Sequence, residues 1–596
     1  MCGIVGYVGN SEVVKALIKG LEALEYRGYD SAGIAVHTGK EILVEKKAGR
    51  LSNLKEALRR REIVGRCGIG HTRWATHGAA TDENAHPFLS VHRRFAVVHN
   101  GIITNYLPLK RELAARGISL RSDTDSEIIA HLIDLFYDGD VLAAIASVVR
   151  RLEGSFALAI LAASEPNALY GVRKESPLLV GRGRGECFLC SDVSGFSENC
   201  TEVAFPNDEV IVRLTERGAK AYDLDGKSLP LAFARTECHR SMEGSEECCM
   251  LSEIHEVPAS VEKTLRSYPE EVVARLLREE HDEIAILGCG SAYHAGLAFK
   301  ATMRELAGVR VTDYVASEFL TERYVGGEHP LFIVVSQSGE TADTLRAVKR
   351  AKEHGATILA VTNVATSSLV RLADETVLTG CGTERAVAAT KSYSAQVAAL
   401  LRICLQYADI WGKIEKTELA RYLAELSALP HKAATVLEGE RTLADACRRL
   451  ANASALYCLG KGADYAAAKE GSLKIKEVSY LFSEAYPSGE LKHGTLALME
   501  AGVYALFVAT DPRLTEKTAS SIAEVACRGA STFAIASEGS AERLGADEVY
   551  PIPDTIPAFS PVLSTVAMQL IAYYVGIYRD CDVDRPRNLA KSVTVE

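Results

Sequence analysis

The chain has 596 residues, more than one hydrophobic core usually spans, so we expect several domains of roughly 100–200 residues each. Its 47% hydrophobic and 24% charged residues are typical of folded globular proteins, and its net charge of −11 argues against nucleic acid as a partner. Because no signal-like amino terminus and no unbroken apolar run of membrane-spanning length is present, we expect a cytoplasmic protein that contacts no membrane.

The fifteen cysteines are scattered and odd in number, which favours reduced thiols over a disulfide framework. Cys187 and Cys190 form a CxxC in the segment ECFLCSD, which is typical of a strand. Residues three apart on a strand lie on opposite faces, so this pair is a poor zinc ligand set. The sequence predicts no metal and no cofactor.

Residues 2–235 are rich in short strand-like segments separated by Gly and Asn, with amphipathic helices predicted at 11–25 and 126–136. This pattern predicts a layered domain of sheets and helices. The segment ECHRSMEGSEECCM then breaks the pattern, and we expect residues 236–265 to link two domains.

After residue 280, apolar strands alternate with helices, as in parallel-sheet α/β domains. The segments LGCGSAY at 287–293 and LGKGADY at 459–465 coincide at an offset of 172 residues, so we expect two copies of one unit, at 275–414 and 447–586. The third glycine of a dinucleotide fingerprint is replaced by Tyr293, which argues against a nicotinamide cofactor.

Cys2 has a chemically useful position at the amino terminus. Removal of Met1 would leave its thiol beside its own α-amine, which titrates near ~7.7–8.0 and can serve as the general base. A cysteine at this position could equally be chance, so the neighbouring motifs decide its interpretation.

Those motifs are YRGYDSAG at 26–33, HTRWATHG at 71–78, NAHP at 84–87, VVHNGII at 97–103 and SDTDSE at 122–127. They resemble the class II glutamine amidotransferase domain, an N-terminal-nucleophile hydrolase with an αββα sandwich. The resemblance implies that Cys2 attacks the glutamine side-chain amide while Asn100 and the Gly101 N–H hold the oxyanion. It also implies that Arg73 binds the α-carboxylate and Asp125 the α-amine, which suits a planar fork and a negative charge.

Three further residues of the HTRWATHG motif are candidates for the same domain. Thr76 and His77 are predicted to line the glutamine pocket, and Trp74 is a candidate gate between two active sites.

The segment SQSGET at 336–341 follows the apolar strand LFIVV and precedes a helix predicted to start near Ala342. Hydroxyls and backbone N–H groups at a helix N-terminus bind anions. A capped helix needs only one such residue, whereas Ser336, Gln337, Ser338 and Thr341 are all available. No Walker lysine follows, so the sequence predicts a small sugar phosphate here rather than a nucleotide.

These features, with GTERAVAATKSY at 382–393, KEGSLKIKEVSY at 469–480, SGELKHG at 488–494 and the tail RPRNLAKSVTVE, resemble the tandem sugar isomerase (SIS) domains of the glucosamine 6-phosphate synthase family. The resemblance implies that Lys591, in a catalytic tail at 587–596, forms a Schiff base with the open-chain ketose. Glu477 would shuttle a proton between C1 and C2, Lys474 would stabilise the enolamine oxygen, and His493 would open the ring from a neighbouring subunit of a homodimer. Ser291, Val387 and Ala590 would complete the sugar phosphate site.

Helical spacing supports one of these pairs independently, because Lys474 and Glu477 are three residues apart and therefore share a helix face. An exposed ion pair would show the same spacing. Ala292 and Ala389 stand where the family pattern has hydroxyl residues, which affects the expected affinity for sugar rather than the reaction class.

The two resemblances together imply an enzyme that moves ammonia from glutamine to fructose 6-phosphate and isomerises the product to glucosamine 6-phosphate, the first step of the hexosamine pathway. Phosphoribosyl-pyrophosphate amidotransferase and asparagine synthetase share the first domain, but the second half lacks their phosphoribosyl-binding and ATP-binding loops. The remaining alternative is a sugar-phosphate-binding regulatory protein with a residual glutaminase domain.

Overall fold

A computed structural model describes residues 2–25, 28–74, 78–235 and 249–593 of the chain. Two compact units divide between Glu243 and Gly244, and the second unit ends at Lys591.

The described residues of the first unit form two antiparallel sheets and five α-helices. Its strands are β1 Gly3–Gly9, β2 Ser31–His37, β3 Ile42–Ala48, β4 Cys67–Arg73, β5 Phe88–Leu89, β6 Phe95–Ile103, β7 Gly154–Ala162, β8 Leu169–Lys174, β9 Leu179–Gly183, β10 Glu186–Cys190, β11 Cys200–Ala204, β12 Ile211–Thr215, β13 Gly218–Tyr222, β14 Ser228–Leu229 and β15 Phe233–Arg235. Its helices are α1 Val13–Leu24, α2 Leu51–Arg59, α3 Tyr106–Ala115, α4 Glu127–Phe136 and α5 Val141–Val149. The sheet orders are β15-β11-β9-β10-β1-β4-β2-β3 and β14-β13-β12-β8-β7-β6-β5.

The alternation of side chains along the strands builds four layers. In β1, Ile4 and Val8 face the core between the two sheets, while Val5 and Tyr7 face a second core with α1 and α2. In β6, the residues Ala96 and Val98 face the inter-sheet core, and the alternate residues pack against α3, α4 and α5. Since strand side chains alternate between faces, each sheet is covered on both sides. The predicted αββα sandwich is confirmed, and both predicted helices are present as α1 and α4.

The predicted strand around the CxxC is β10, with its two thiols on opposite faces. Cys187 lies in the core between the sheets, and Cys190 lies in the core under α1.

The second unit contains two parallel sheets with helices around them. Its strands are β16 Glu283–Gly288, β17 Thr312–Val315, β18 Pro330–Ser336, β19 Thr357–Thr362, β20 Glu375–Leu378, β21 Ala455–Gly460, β22 Ser483–Pro487, β23 Val503–Ala509, β24 Ser531–Ser537 and β25 Glu548–Ile552. Its helices are α6 Cys249–His255, α7 Val257–Arg266, α8 Glu270–Leu277, α9 Gly290–Thr302, α10 Ala316–Phe319, α11 Ala342–Glu353, α12 Ser368–Leu372, α13 Lys391–Ile410, α14 Lys416–Glu438, α15 Glu440–Leu450, α16 Ala463–Ser479, α17 Thr515–Ala526 and α18 Ser560–Tyr578.

The two sheets have the same strand order, β17-β16-β18-β19-β20 and β22-β21-β23-β24-β25, and every pairing is parallel. The predicted internal repeat is therefore confirmed as two copies of one parallel-sheet unit. A single core joins them, because buried residues of α9 and α13 pack with those of α16 and α18.

Helix α18 is the most apolar of the second unit. The stretch Pro557–Tyr578 has the length and hydropathy of a membrane span, which the sequence analysis did not anticipate, but an 18-residue segment of it is 94% buried inside the protein. A central position in the shared core accounts for its composition.

Residues 236–248 of the predicted linker lie outside the described residues. The rest of that interval forms α6 and α7, whose apolar residues Met250, Ile254, Val257 and Val261 are fully buried in the shared core. These two helices are thus part of the second unit's packing.

Candidate active sites

The first candidate site lies where the two sheets of the first unit meet. Cys2 immediately precedes β1, and the Trp74 N–H after β4 donates a hydrogen bond to its Sγ at 3.2 Å. Asn100 lies on β6 of the opposite sheet, and its side-chain Nδ2 donates to the Cys2 carbonyl at 2.9 Å. Burial raises the pKa of the Cys2 thiol, and the Trp74 hydrogen bond and the charge of Arg73 oppose that rise.

A histidine that the sequence analysis did not single out orients the Asn100 amide. His71 Nε2 lies 3.0 Å from Asn100 Oδ1 and 3.1 Å from the His99 carbonyl. Burial lowers the pKa of His71 to about 3, so the ring is neutral at neutral pH. Because both neighbours are acceptors, Nε2 carries the hydrogen, which turns the amide NH₂ of Asn100 towards Cys2.

Gly101 follows Asn100 with a φ of +128°, in the region that favours glycine. A Cβ here would stand 2.0 Å from the Ser155 carbonyl oxygen of the neighbouring strand. Only glycine therefore fits this position, as expected for a backbone N–H that must be presented at an unusual angle.

Arg73 and Asp125 are both buried near Cys2. Arg73 donates to the carbonyl groups of Gly78 and Ala79 at 3.1 and 3.2 Å, and burial lowers its pKa while Cys2, Asp30 and Asp125 oppose that shift. Asp125 Oδ2 accepts a hydrogen bond from the Ile103 N–H at 2.8 Å. Arg73 is within electrostatic range of both the Cys2 thiol and Asp125, and such a cation beside an anion suits the charged groups of an amino acid.

The remaining predicted residues of this site are only partly described. Trp74 is half-buried, and its ring packs edge-on against Tyr29 at 5.7 Å between centroids. Thr76 and His77 lie outside the described residues.

The second candidate site lies in the second unit at the carboxyl ends of β16 and β18. The chain leaves these adjacent strands in opposite directions along the sheet, which is the switch point where α/β sheets bind ligands. Ser291 lies in the first turn of α9 after β16. Ser336 ends β18, and α11 begins at Ala342 as the sequence predicts.

The loop between β18 and α11 is shaped by its own hydrogen bonds. Ser336 Oγ accepts from the Gly339 N–H at 3.1 Å, and Ser338 Oγ accepts from the Glu340 N–H at 3.2 Å. The Gln337 carbonyl accepts from the Asn363 N–H after β19 at 3.1 Å. Thr341 is the N-cap of α11, yet its hydroxyl makes no capping bond to that helix. This hydroxyl and the helix N-terminus are therefore available to an anion.

Lys474 and Glu477 lie together on one face of α16. Lys474 is 1% exposed, and its Nζ lies 2.5 Å from Glu477 and 3.5 Å from Glu470. Burial alone would lower the pKa of Lys474, but the two carboxylates raise it above its ordinary value. Glu470 is fully buried and also contacts His294 of α9 at 2.9 Å and the hydroxyl of Ser291. The cluster thus joins the second repeat to Ser291 of the first.

Lys591, five residues from the chain end, is folded into the second unit with its side chain 5% exposed. Its Nζ forms a short ion pair with Glu384, whose carboxylate is fully buried and also accepts hydrogen bonds from Ser392 N–H at 3.0 Å and Ser392 Oγ at 2.6 Å. Burial raises the pKa of Glu384, but the Lys591 ammonium and Ser392 more than offset this and lower it. Lys591 is thus ordered although it lies close to the chain end, and its ion-pair partner is a buried carboxylate.

Two predicted sugar-site residues lie beside this pair. Val387 is 7% exposed and its N–H donates to the Asp584 carbonyl at 3.0 Å, while Ala590 directly precedes Lys591 and is half-buried. His493 is exposed at the end of the short helix Ser488–His493 and lies outside the cluster around Lys474.

Three buried residues of these sites were missed by the sequence analysis, namely His71, Glu384 and Glu470. His71 lies in the motif HTRWATHG, Glu384 in GTERAVAATKSY and Glu470 in KEGSLKIKEVSY. The one signal that the sequence offers for them is a titratable residue inside a motif that already carries other candidate site residues.

Comparison with known proteins agrees with this division. The SIS domain family matches residues 276–403 and 449–577, and the glutamine amidotransferase domain family matches residues 71–198. Proteins named glutamine–fructose-6-phosphate aminotransferase (isomerizing) from Caldanaerobacter subterraneus and Clostridium tetani are 43% and 42% identical over 608 residues, covering 100% of this chain and of each relative. The crystallised C-terminal domain of the Francisella tularensis glucosamine-fructose-6-phosphate aminotransferase is 33% identical, with a TM-score of 0.56 over 58% of this chain and 100% of that one. With relatives of this identity matching it from end to end, the chain belongs to the glutamine–fructose-6-phosphate aminotransferase (isomerizing) family.

Proposed function

We propose that the chain transfers ammonia from glutamine to D-fructose 6-phosphate and isomerises the product to D-glucosamine 6-phosphate, releasing glutamate. The observation that carries the proposal is the burial of Lys591 against Glu384, because a lysine so near a chain end is ordinarily solvated.

In the first unit, Cys2 Sγ attacks the side-chain carbonyl of glutamine after Met1 is removed. The α-amine of Cys2 accepts the thiol proton and returns it to the departing ammonia, and water then releases glutamate. Asn100 and the Gly101 N–H stabilise the oxyanion. The Asn100 role is supported by the orientation of its amide, which His71 holds with the NH₂ group towards Cys2. Arg73 and Asp125, with Thr76 and His77, hold the rest of the glutamine, and Trp74 gates the ammonia.

In the second unit, the phosphate of the sugar lies at the N-terminus of α11. Ser336, Gln337, Ser338 and Thr341 hold it, with Ser291, Val387 and Ala590 along the sugar. The free hydroxyl of Thr341 supports this assignment, because a capping role would have consumed it.

The sugar chemistry needs an amine that forms an imine with the ketose and a base that moves a proton between carbon atoms. Lys591 Nζ, once it has lost its proton, attacks C2 of the open-chain ketose and expels water, and ammonia then displaces Lys591 from the imine. Glu477 moves a proton from C1 to C2, and the C1 hydroxyl proton passes to the imine nitrogen, so that the C2 imine and C1 alcohol become a C2 amine and a C1 aldehyde. Lys474, held 2.5 Å from Glu477, is placed to stabilise the oxygen on C1 of the enolamine.

We further propose a homodimer in which His493 opens the sugar ring in the partner's site. The exposure of His493, together with that of Leu498 at 54%, supports a surface that a second copy covers.

The proposal is tested with glutamine and fructose 6-phosphate alone, without ATP or added metal, followed by an amino-sugar assay. Borohydride added with fructose 6-phosphate should trap an adduct on Lys591, readable by peptide mass spectrometry. Lys591→Arg keeps the charge but should lose synthesis at least ~1000-fold while basal glutamine hydrolysis persists. Cys2→Ala should do the reverse, abolishing use of glutamine but sparing sugar isomerisation.

The control is Lys476→Arg, on α16 but 43% exposed, which should behave as wild type. An adduct on another lysine, or normal synthesis by Lys591→Arg, would contradict the assignment. Sugar phosphate binding without any product would instead favour the regulatory alternative.

A further inference from the structure

Glu253 is an acidic residue with no part in the chemistry described above, yet it is 4% exposed on α6. Its carboxylate accepts a short hydrogen bond from the Arg385 N–H and further ones from the Ala386 N–H at 3.3 and 3.4 Å. These two residues directly follow Glu384, the partner of Lys591. Glu253 therefore holds the backbone on which Glu384 is mounted.

The same backbone is held a second time by the chain's carboxyl-terminal segment. The Asp584 carbonyl accepts from the Val387 N–H at 3.0 Å, and the Asp584 carboxylate accepts from the first N–H groups of α6, those of Cys249 and Met250, at 2.9 and 2.7 Å. Helix α6, the loop that begins at Glu384 and the segment that leads to Lys591 thus form a closed triangle of hydrogen bonds.

We propose that Glu253 is a positioning residue for the sugar chemistry, because its carboxylate fixes the backbone that sets Glu384 against Lys591. The inference rests on the proposed function of Lys591 as the imine-forming amine. A clamp at this point matters because a small displacement of a reacting group lowers a rate far more than it lowers substrate binding.

The electrostatic surroundings make the clamp dependent on pH. The charged groups facing Glu253 are Glu384 on the loop, Lys391 at the start of α13 and Lys591 on the tail. Burial and the charge of Glu384 raise the pKa of Glu253, while Lys591 and the Arg385 hydrogen bond oppose that rise. The ionised carboxylate accepts both N–H groups, whereas a protonated one turns one oxygen into a donor.

The decisive variant is Glu253→Gln, which keeps the shape and one acceptor but removes the charge. Its matched control is Glu262→Gln on the neighbouring helix α7, whose side chain is 59% exposed beside Arg266. In Glu253→Gln we expect kcat for glucosamine 6-phosphate formation to fall about 10- to 100-fold, with KM for fructose 6-phosphate within about threefold of wild type. Glutamine hydrolysis should be unchanged, and amide hydrogen exchange should accelerate in the peptide containing Arg385 and Ala386.

The pH profile separates positioning from a merely structural contribution. In wild type, kcat for glucosamine 6-phosphate formation should fall at acid pH as Glu253 becomes protonated. The kcat of Glu253→Gln should lack this fall, which is the acid limb of the profile. Glu253→Asp, which keeps the charge, should restore the limb and part of the rate.

The outcomes distinguish the two proposals. Absence of a borohydride adduct on Lys591 in wild type would defeat the proposed function, while faster exchange at Arg385 and Ala386 in Glu253→Gln would still report the clamp. Normal kcat with the wild-type pH limb in Glu253→Gln would overturn the role of Glu253. If Glu253→Gln does not fold, the same measurements on Glu253→Asp decide, since unchanged exchange and kcat there would also overturn it.

Discussion

At the scale of single residues, the proposed chemistry in the first unit depends on the hydrogen on His71 Nε2, which orients the Asn100 amide. Burial lowers the pKa of His71 to about 3, so the ring stays neutral and its Nε2–H remains a donor at neutral and mildly acidic pH. That hydrogen settles the orientation of Asn100, because an amide whose Oδ1 is engaged presents its NH₂ to the opposite side. The amide that we propose as the oxyanion donor is thus oriented by a second buried residue, His71.

His71→Phe tests this arrangement by keeping a flat ring and removing the donor. We expect glutamine hydrolysis to fall about tenfold, since a neutral buried hydrogen bond is worth about 0.5–1.5 kcal/mol and the freed amide oxygen loses its partner. His37→Phe is the control, because His37 is equally buried, on β2, and bonds the Ala163 carbonyl at 3.1 Å. Undiminished hydrolysis in His71→Phe, or an acid limb at pH 6 that the variant removes, would contradict the neutral donor.

At the scale of elements, the two repeats differ at the loop that follows their third strand. The loop after β18 is Ser336-Gln-Ser-Gly-Glu-Thr341, whereas the equivalent residues after β23 include Asp511, Pro512 and Leu514. A proline removes one backbone donor, an aspartate repels phosphate, and Asp511 already accepts from the Arg513 N–H at 2.9 Å. The second copy has kept the fold, but the N–H and hydroxyl of Thr510 in its loop already donate to Asp464.

We therefore expect each chain to bind one sugar phosphate. Titration of the protein with fructose 6-phosphate in a calorimeter should give one site per chain, and Ser338→Ala with Thr341→Ala should weaken it by about 1.5–3 kcal/mol for each bond lost to the charged group. Unphosphorylated fructose should bind wild type and the double variant equally poorly. Two sites per chain, or a double variant with undiminished affinity, would place the phosphate elsewhere.

Asp464 is a further residue by which the second repeat differs from the first, and it lies at the switch point of the second sheet. It lies in the first turn of α16, is buried, and accepts from the Thr510 N–H at 2.9 Å and from the hydroxyls of Thr510 and Ser560. Burial raises the pKa of Asp464 to about 6, and the Thr510 hydrogen bonds oppose that rise only in part. An anion of the chain's own therefore occupies the end of β23.

This carboxyl should make stability depend on pH in a definite direction. Its folded pKa of about 6 lies above the unfolded value of about 3.9, so the folded state binds the proton more tightly and stability is lost as the pH rises from about 4 to 6. By equilibrium urea unfolding, Asp464→Asn should gain about 2 kcal/mol relative to wild type between pH 4.5 and pH 8. Asp445→Asn, at a side chain 69% exposed, controls for loss of charge. A difference between Asp464→Asn and wild type that stays constant with pH would contradict the buried ionisation.

At the scale of the whole molecule, local patterns in the sequence predicted the domains and the internal repeat. They did not predict which residues far apart in the chain come into contact. The layered first domain, the repeat at an offset of 172 and the start of α11 at Ala342 follow from local patterns of apolar residues and glycines. The roles of Glu384 and Glu470 do not, since Glu384 is 207 residues from Lys591, and Glu470 is 176 residues from His294. Burial of a charge depends on which elements pack together, and a single sequence does not state that.

The proposed homodimer predicts that two inactive variants can restore activity when they form mixed dimers. If His493 serves the partner's site, then His493→Ala and Lys591→Arg damage different halves of each composite site. Unfolding and refolding an equal mixture of the two inactive variants should yield mixed dimers in which one site has both an intact Lys591 and an intact His493. Random pairing makes half of the dimers mixed, each with one of two sites restored, so synthesis should recover to about a quarter of the wild-type rate. The control mixture, Lys591→Arg with Glu477→Gln, combines two lesions in the same chain's part of the site and should stay inactive. Recovery in the control, or none in the first mixture although sedimentation shows dimers, would mean that His493 acts within its own chain.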